Sequence, residues 1–561
     1  MAPTVSDAGV LFGYLGEDGV FRRTVVRCDP EPPEMRVSDD RARATWHLEL
    51  RPGDMFRLLI EIEPSLDDGV LERSTWDDAQ ERVRKDICAW EDECARLTSD
   101  SRLLDRLLAS SRRDLRALMT PIDGGNIIAA GIPWFVAPFG RDSLIGAYEA
   151  LMVNPGLARD VLLLLAGHQA DRDDPLRDAE PGKILHEARV GELARAGHIP
   201  HTPYYGTVDA TPLFAILAAE YFRWTGDLGT IRTLRPHLER ALAWIAGPGD
   251  PDGDGFVEYQ RRAPGGLDVH GWKDSSTSTM HADGTLVEGR VALAEVQGYV
   301  YAAKSGVADL FDALADVDGA ARLRAEAARL KAHFNDVFWM PEEDTFGIAL
   351  DGAKRLARSV ASNAGHCLWT GIVDAEKAGP LAARLMAEDL FSGWGVRTLS
   401  ARSPAFNPMS YHNGSVWPHD NALIAAGLKR YGFAAEADRI ARALIDAAFE
   451  TRELRLPELF CGFRRMDGVS FVSYPVACTP QAWAAAAPFL LLQTMLGVSA
   501  DARANVLTVN RPKLPGHIAR ADLSDVRVGT SRLSISFTGG GGGTAFSLLE
   551  RDGDASVTMT E

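Results

Sequence analysis

From about residue 98 to residue 498, apolar positions recur every three to four residues in one segment after another, the period of amphipathic helices. The clearest predicted helices run from Ala210 to Trp224, Ile231 to Ile245, Glu288 to Lys304, Ala320 to Phe334, Val416 to Tyr431, Ala434 to Phe449 and Thr479 to Leu496. Long loops rich in Gly, Pro, Trp and His separate them. Around a dozen helices, with reactive side chains in alternate loops, predict a mainly α chain: an (α/α)6 toroid over 98–498 whose inner-helix loops converge on one pocket. Residues 1–75 alternate with period two instead, as in Thr45 to Leu50 and Phe56 to Ile62, which predicts a small antiparallel β-domain. A charged stretch over 76–97 reads as a linker helix. Residues 499–561 return to strands at Val506 to Val509 and Leu533 to Phe537, with a flexible Gly539 to Gly543 run between turns.

The formal net charge of −18 disfavours nucleic acid or an anionic membrane as a partner, since both present phosphate and the chain offers no basic block. A neutral sugar fits. No apolar run reaches the roughly 20 residues that span a bilayer, and the start of the chain lacks a basic, then apolar, leader, so a cytoplasmic location is expected. The scattered Cys28, Cys88, Cys94, Cys367, Cys461 and Cys478 form no CxxC pair and read as reduced thiols.

The loops carry the candidate chemistry. Gly131 to Ser143 brings Trp134 and Phe139 up to Arg141 and Asp142 at a predicted helix start; a carboxylate beside a guanidinium can bind vicinal hydroxyls while aromatic rings stack on a sugar's CH face. A helix cap with a surface ion pair is the plainer reading. Tyr204, Tyr205 and Asp209 precede another helix: either the tyrosines wall a sugar pocket and Asp209 receives hydroxyls, or Asp209 is a helix cap, the reading its position favours. In His270 to Ser275, Trp272 and Lys273 flank Asp274. A general acid needs a raised pKa, which an aromatic shelter supplies and a close Lys273 ammonium opposes.

Glu295 and Gln297 interrupt an apolar helix and so serve a polar pocket or a buried network. His412 and Trp417 lead into a further helix. Glu458, enclosed by Leu456, Pro457, Phe460 and Cys461, is sheltered enough to be a base. Asp274 and Glu458 are thus candidates for the acid and base of an inverting glycosidase, whose carboxyls stand roughly 6.5 to 9.5 Å apart.

Sharper alternatives fail. His186-Glu187-Ala188-Arg189-Val190 begins like a zinc HExxH motif but has Val190 where the second His belongs. Asp250 to Gly255 begins like a calcium loop, but Arg261 stands where a bidentate Glu is needed, so a turn is preferred. No nucleophile elbow, P-loop or dinucleotide fingerprint occurs, and no metal or cofactor is expected.

With these motifs in this order, residues 75 to 498 resemble the bacterial amylo-α-1,6-glucosidase or glycogen-debranching-like proteins, within the wider group of (α/α)6 glycosidases that includes trehalase and processing α-glucosidase. The resemblance implies Asp274, the acidic residue of a Trp-x-Asp motif, as general acid. It implies Glu458, ahead of Gln481-Ala482-Trp483, as general base. Arg141 and Asp142 match a Gly-Arg-Asp motif that holds the nonreducing sugar, and Tyr205, Asp209, Glu295, His412 and Trp417 match further pocket positions. The implied activity is inverting, exo-acting cleavage of a terminal α-glycosidic bond, α-glucosidic by expectation, in an oligosaccharide or small glycoside. A phosphorylase on the same frame and a non-catalytic sugar-binding protein are the alternatives; a homo-oligomer is left open.

Overall fold

Helices that are apolar around their whole circumference are stable only when surrounded, whereas helices with one apolar stripe belong at a surface. From residue 102 to residue 496, long helices buried along one stripe alternate with helices buried nearly all round. The computed structural model describes residues 2–6, 9–66, 75–122, 125–200, 202–516, 518–540 and 543–560. It divides the chain into two units, residues 1–88 with 190–202, and residues 89–189 with 203–561.

The second unit is built on twelve helices. Those burying a stripe are α1 (Arg102–Leu118), α3 (Pro155–Gly167), α5 (Leu228–Ile245), α7 (Val317–Val337), α9 (Ala375–Leu385) and α11 (Ala434–Phe449). Those buried over most or all of their surface are α2 (Gly140–Glu149), α4 (Ala210–Thr225), α6 (Ala294–Ala313), α8 (Asn363–Thr370), α10 (Pro418–Arg430) and α12 (Ala482–Leu496). Helix α2 packs on α4, α4 on α6, α6 on α8, α8 on α10, α10 on α12, and α12 back on α2, closing an inner ring. The stripe-bearing helices lie outside it: α3 against α2 and α4, α5 against α4 and α6, α7 against α6, α9 against α8, α11 against α10 and α12, and α1 against α12. The result is the (α/α)6 toroid. Small residues let the ring close: a Cβ on Gly365 would stand 2.4 Å from Ile424 Cγ1, and one on Gly427 2.4 Å from the Trp369 amide nitrogen.

The same unit carries an antiparallel sheet in the order Gly543–Asp552, Ser531–Gly540, Arg520–Val528 and Arg96–Ser99, and a smaller mixed sheet in which Val506–Asn510 pairs antiparallel with Val498–Asp501 and parallel with Ser556–Thr560. The first unit holds an antiparallel sheet of Thr4–Ser6, Gly9–Leu15, Phe21–Asp29 and Leu59–Leu66 in that order, with a hairpin of Glu34–Val37 and Ala42–Thr45. Its returning segment 190–202 is tied on by Glu192, whose Oε1 accepts from Tyr14 Oη at 2.9 Å and from the Glu17 amide at 2.7 Å.

Several boundaries differ from those read in the sequence, each because a partner outside the local window decides them. The charged helix spans Trp76–Glu93, and the residues after it, Arg96–Ser99, are a strand paired with Arg520–Val528. Residues 288–293 are not helical: Val291 bridges Tyr259, and Ala292–Leu293 pairs with Ala349–Leu350, so α6 begins at Ala294. Helix α12 begins at Ala482, after Pro480 O has accepted from the Ile132 amide. Residues 46–50 alternate without pairing, and the neighbouring strand is Leu59–Leu66 rather than 56–62. Of the glycine run, Gly539 and Gly540 end one strand and Gly543 begins the next; residues 541–542 lie outside the described residues.

Candidate active site

Because each outer helix carries the chain back, all six inner helices start at the same end of the toroid. Arg141 and Asp142 occupy the first turn of α2, Asp209 immediately precedes α4, and Glu295 is the second residue of α6. Asn363 opens α8, Trp417 precedes α10, and Gln481 precedes α12. Helix N-termini carry partial positive charge and unpaired amides, so carboxylates gathered there are favoured.

Helix α2 is pressed against the segment 185–187. A Cβ on Gly140 would come within 2.0 Å of Leu185 O, and the Gly140 amide donates to His186 O at 2.9 Å, so only glycine admits this approach. Arg141, 3% exposed, thereby faces two carboxylates. Its Nη1 donates to Asp209 at 2.9 and 3.2 Å, and its Nη2 donates to Asp274 Oδ2 at 3.0 Å. Asp209 also accepts from Thr207 Oγ1 at 2.5 Å and makes no cap bond to its helix, so the helix-cap reading of Asp209 is overturned.

From Asp142 the network continues across the ring. Gln481 Nε2 donates to Asp142 Oδ1 at 3.2 Å and to Glu458 Oε1 at 3.3 Å. Glu458 further accepts from Tyr411 Oη at 2.5 Å and from the Cys478 amide at 2.8 Å. Asp274 and Glu458 therefore sit at the two ends of one relay: Asp274, Arg141, its chain neighbour Asp142, Gln481, Glu458. The side chain of Asp274 is 31% exposed, against 1% for Asp209, whereas Glu458 is 1% exposed.

Crowding carboxylates in a dry place raises their pKa values. Burial pushes Glu458 up to about 6, opposed by the hydrogen bonds from Tyr411 and Cys478. Burial likewise pushes Asp142 up to about 7; Arg141 opposes it, and Glu458, Asp274 and Asp209 add to it. Asp274 is raised by burial, with Arg141 pulling it back and Asp209 lifting it.

Lys273 is not the cation on Asp274. Its Nζ donates to Asn363 Oδ1 and to Thr398 O, both at 2.6 Å, and burial lowers it to about 8. Trp272, 2% exposed, is enclosed by rings, stacked on His366 with centroids 5.8 Å apart and edge-on to His412, Trp417 and His419. His412 Nδ1 accepts from Ser275 Oγ at 2.7 Å, which ties down the loop just after Asp274; burial, with Lys273 and Arg141 adding, keeps this imidazole neutral. Trp417 Nε1 donates to Tyr411 O at 3.0 Å. Glu295, 1% exposed, is raised by burial, and the Asn363 side chain opposes the shift.

Gln297 is spent on backbone: it accepts from the Val257 amide and donates to Val257 O and Leu293 O. Tyr204 is fully buried, with its Oη donating to Asp178 and accepting from the Leu267 amide, and Tyr205 Oη donates to His168 O. Phe139 packs edge-on to Phe135 and His186; Trp134 is 55% exposed, with Nε1 on Val476 O at 3.0 Å. The structure thus gathers Arg141, Asp142, Asp209, Asp274 and Glu458 into one network and places most of the others in its supporting walls.

Three members were not among the candidate site residues, although Gln481 stood in the motif that places Glu458. Tyr411 and Gln481 touch Glu458 directly, and Glu187, ion-paired with Arg189, adds a further buried carboxylate whose pKa the charge of Asp274 helps to raise. A Tyr directly before His412 and a Gln at a helix start were the only local signals. Among the described residues, the group of side chains close enough to share a metal ion is Asp250, Asp252 and Asp254, which is not part of this network.

Comparison with known proteins bears on the family and the fold. The family described as mannosylglycerate hydrolase MGH1-like glycoside hydrolase domain matches residues 139–463, and the N-terminal domain of some glycogen debranching enzymes matches residues 1–61. The mannosylglycerate hydrolases MGH1 and MGH2 of Selaginella moellendorffii are each 34% identical over 85 residues, 15% of this chain and 17% of theirs. The chain therefore spans only a small part of the curated relatives it matches. Among solved structures, the GH63 mannosylglycerate hydrolase of Thermus thermophilus superposes with a TM-score of 0.51 at 16% identity, over 68% of this chain and 99% of that one. A GH78 rhamnosidase of Bacillus sp. GL1 gives 0.60 at 14% identity, over 97% of this chain and 53% of the other. At such identities the two structures speak for the fold, while the match over more than half of the sequence speaks for the family. The chain belongs to the mannosylglycerate hydrolase MGH1-like glycoside hydrolase family.

Proposed function

We propose that the chain hydrolyses the terminal α-glycosidic bond of a small glycoside in one step with inversion, Asp274 acting as general acid and Glu458 as general base. The observation that carries this reading is the relay: two carboxylates at its ends, with no hydrogen bond between them and one buried guanidinium, one acid and one amide connecting them. Glu458 takes a proton from water as the water oxygen bonds to the anomeric carbon; the bond from that carbon to the leaving oxygen breaks, and Asp274 protonates that oxygen. Glu458, at about 6, is ionised at neutral pH as a base must be, and burial raises Asp274 in the direction an acid needs, with Arg141 opposing the shift. Asp142 serves as an acceptor for sugar hydroxyls, while Asp209, 1% exposed, holds Arg141 in place.

For the substrate, the proteins named mannosylglycerate hydrolases make mannosylglycerate the first candidate, ahead of the α-glucosides that the debranching-like motifs suggest. Proton NMR of the purified protein with mannosylglycerate, glucosylglycerate, isomaltose, maltose and trehalose, with and without phosphate, tests the proposal. Early release of a β-hexose in phosphate-free buffer is expected. Early α-hexose contradicts inversion, and a strict need for phosphate replaces the hydrolase by a phosphorylase.

A further inference from the structure

The end of the toroid away from the catalytic network has a pocket of its own. There α2, α4, α8 and α10 finish, and a cavity of about 340 Å³ opens among their last turns and the middle of α6. Its walls are aromatic: Tyr148 and Trp369 meet edge-on with centroids 5.0 Å apart, and Tyr301 and Tyr431 line the same space. Its charged groups are Glu220, Arg223 and Arg430. A cavity of that size, walled by rings and furnished with few polar groups, has the build of a small-molecule site.

Arg430 is the charge left unmatched. Arg223 is neutralised, with Nη1 on Glu220 Oε1 at 2.9 Å and Nη2 on Asp309 Oδ2 at 3.1 Å. Arg430 Nη1 donates to Trp369 O at 2.6 Å and so caps α8, but the guanidinium has no carboxylate partner among the described residues. Capping is ordinary for a cation at helix ends. It uses one arm of the guanidinium and leaves the other N–H groups to the pocket. The Tyr148 hydroxyl accepts from Trp369 Nε1 at 2.8 Å, which frees its own O–H to donate. Burial raises this phenol and Glu220 adds to the shift, while Trp369, Arg430 and Arg223 oppose it, so the proton stays on. A guanidinium without a counter-charge beside a donating phenol suits an anion.

The rest of the lining suits hydroxyl groups. The Glu220–Arg223 pair offers the carboxylate and guanidinium that together bind vicinal hydroxyls, and the rings offer faces for a sugar's CH groups. A neighbouring cavity of about 320 Å³ shares Glu220 and Arg223 and reaches Gln493, whose enclosed Oε1 meets no donor among the described residues. We propose that this far mouth of the toroid binds a monosaccharide carrying one anionic group, a phosphate or a carboxylate, with the anion on Arg430 and the hydroxyls on Glu220 and Arg223.

A ligand there would tie together helices whose opposite ends carry the catalytic network. Tyr148 shares α2 with Arg141 and Asp142, and Trp369 shares α8 with Asn363, the partner of Lys273. Binding at this mouth is independent of hydrolysis at the other.

The test is calorimetry and thermal melting of the whole chain against glucose-6-phosphate, glucuronate, glucose and inorganic phosphate. The expected result is saturable binding of at least one of the two anionic sugars, with a Kd on the order of 10⁻⁴ to 10⁻³ M and a raised Tm. The tighter of the two names the anion. Glucose and inorganic phosphate are each expected to bind on the order of tenfold more weakly. Arg430→Met is expected to weaken the anionic sugar by about tenfold or more, and Ala302→Trp, which fills the cavity from its wall, to abolish binding. If one of these variants fails to fold, the other decides. Asp142→Asn, at the opposite end of α2 from Tyr148, is expected to leave binding unchanged. No binding of either anionic sugar up to about 10 mM, equal binding of glucose or of phosphate, binding that survives in a folded Arg430→Met or Ala302→Trp chain, or binding lost in Asp142→Asn overturns it.

Discussion

Arg141 and Asp274 stand 133 residues apart in sequence and 3.0 Å apart in space, on the same guanidinium that holds Asp209 through its other arm. A planar fork serves two carboxylates at once, and a lysine ammonium does not reproduce that geometry. Arg141→Lys is expected to lower kcat/KM by roughly 10²-fold or more, because Asp274 loses its alignment. Arg141→Met also leaves Asp209 buried without its counter-charge, costing about 3–5 kcal/mol of stability. Steady-state kinetics and urea denaturation measure the two effects; a lysine variant with full activity contradicts the role.

Tyr411 favours the ionised form of Glu458 by donating to it at 2.5 Å. Tyr411→Phe is therefore expected to raise the pKa of Glu458 above its value of about 6. The acid limb of the kcat/KM profile moves to higher pH, with activity recovered on the alkaline side. A limb that stays in place means that Tyr411 does not tune the base.

Glu458 also ties stability to pH. Its folded pKa of about 6 exceeds the ordinary 4.5, so the folded state binds more protons between those values. Stability is greatest below the lower value and is lost as pH rises through the upper one, by about 2 kcal/mol in all. Glu458→Gln should remove this component while abolishing turnover, so the stability difference between variant and wild type grows by about that amount from acid to neutral pH. Denaturation at a series of pH values measures it; parallel curves contradict the shift.

Lys273 separates a structural role from a binding role. Its ammonium satisfies Asn363 Oδ1 and Thr398 O in a buried site. Lys273→Met is expected to cost roughly 1–3 kcal/mol of stability and to leave KM nearly unchanged. A large rise in KM with intact stability places the side chain on the substrate.

The toroid was legible because its helices repeat one period many times, and Ala434–Phe449 was readable to the residue. The short α8 was not: its eight residues are buried on every side and show no polar face to set a period. The five carboxylate and guanidinium positions of the network stood out as charge beside aromatic or apolar neighbours. Their partners did not, because a hydrogen bond such as Gln481 to Asp142 spans 339 positions of sequence and leaves no local trace. The aromatic candidates misled for a related reason: Tyr204 and Trp272 are flanked by site residues in sequence, but each is buried, Tyr204 with its hydroxyl spent on Asp178 and Trp272 within a cluster of rings.

Leaving-group dependence tests the division of labour between Asp274 and Glu458 most directly. Once the sugar is known, its α-glycosyl fluoride, which departs without protonation, is compared with the natural substrate in Asp274→Asn and Glu458→Gln. The account predicts that Asp274→Asn loses on the order of 10²- to 10⁴-fold on the natural substrate and far less on the fluoride, whereas Glu458→Gln loses both. Equal losses on the two substrates in Asp274→Asn, or turnover of the natural substrate by Glu458→Gln, contradict it.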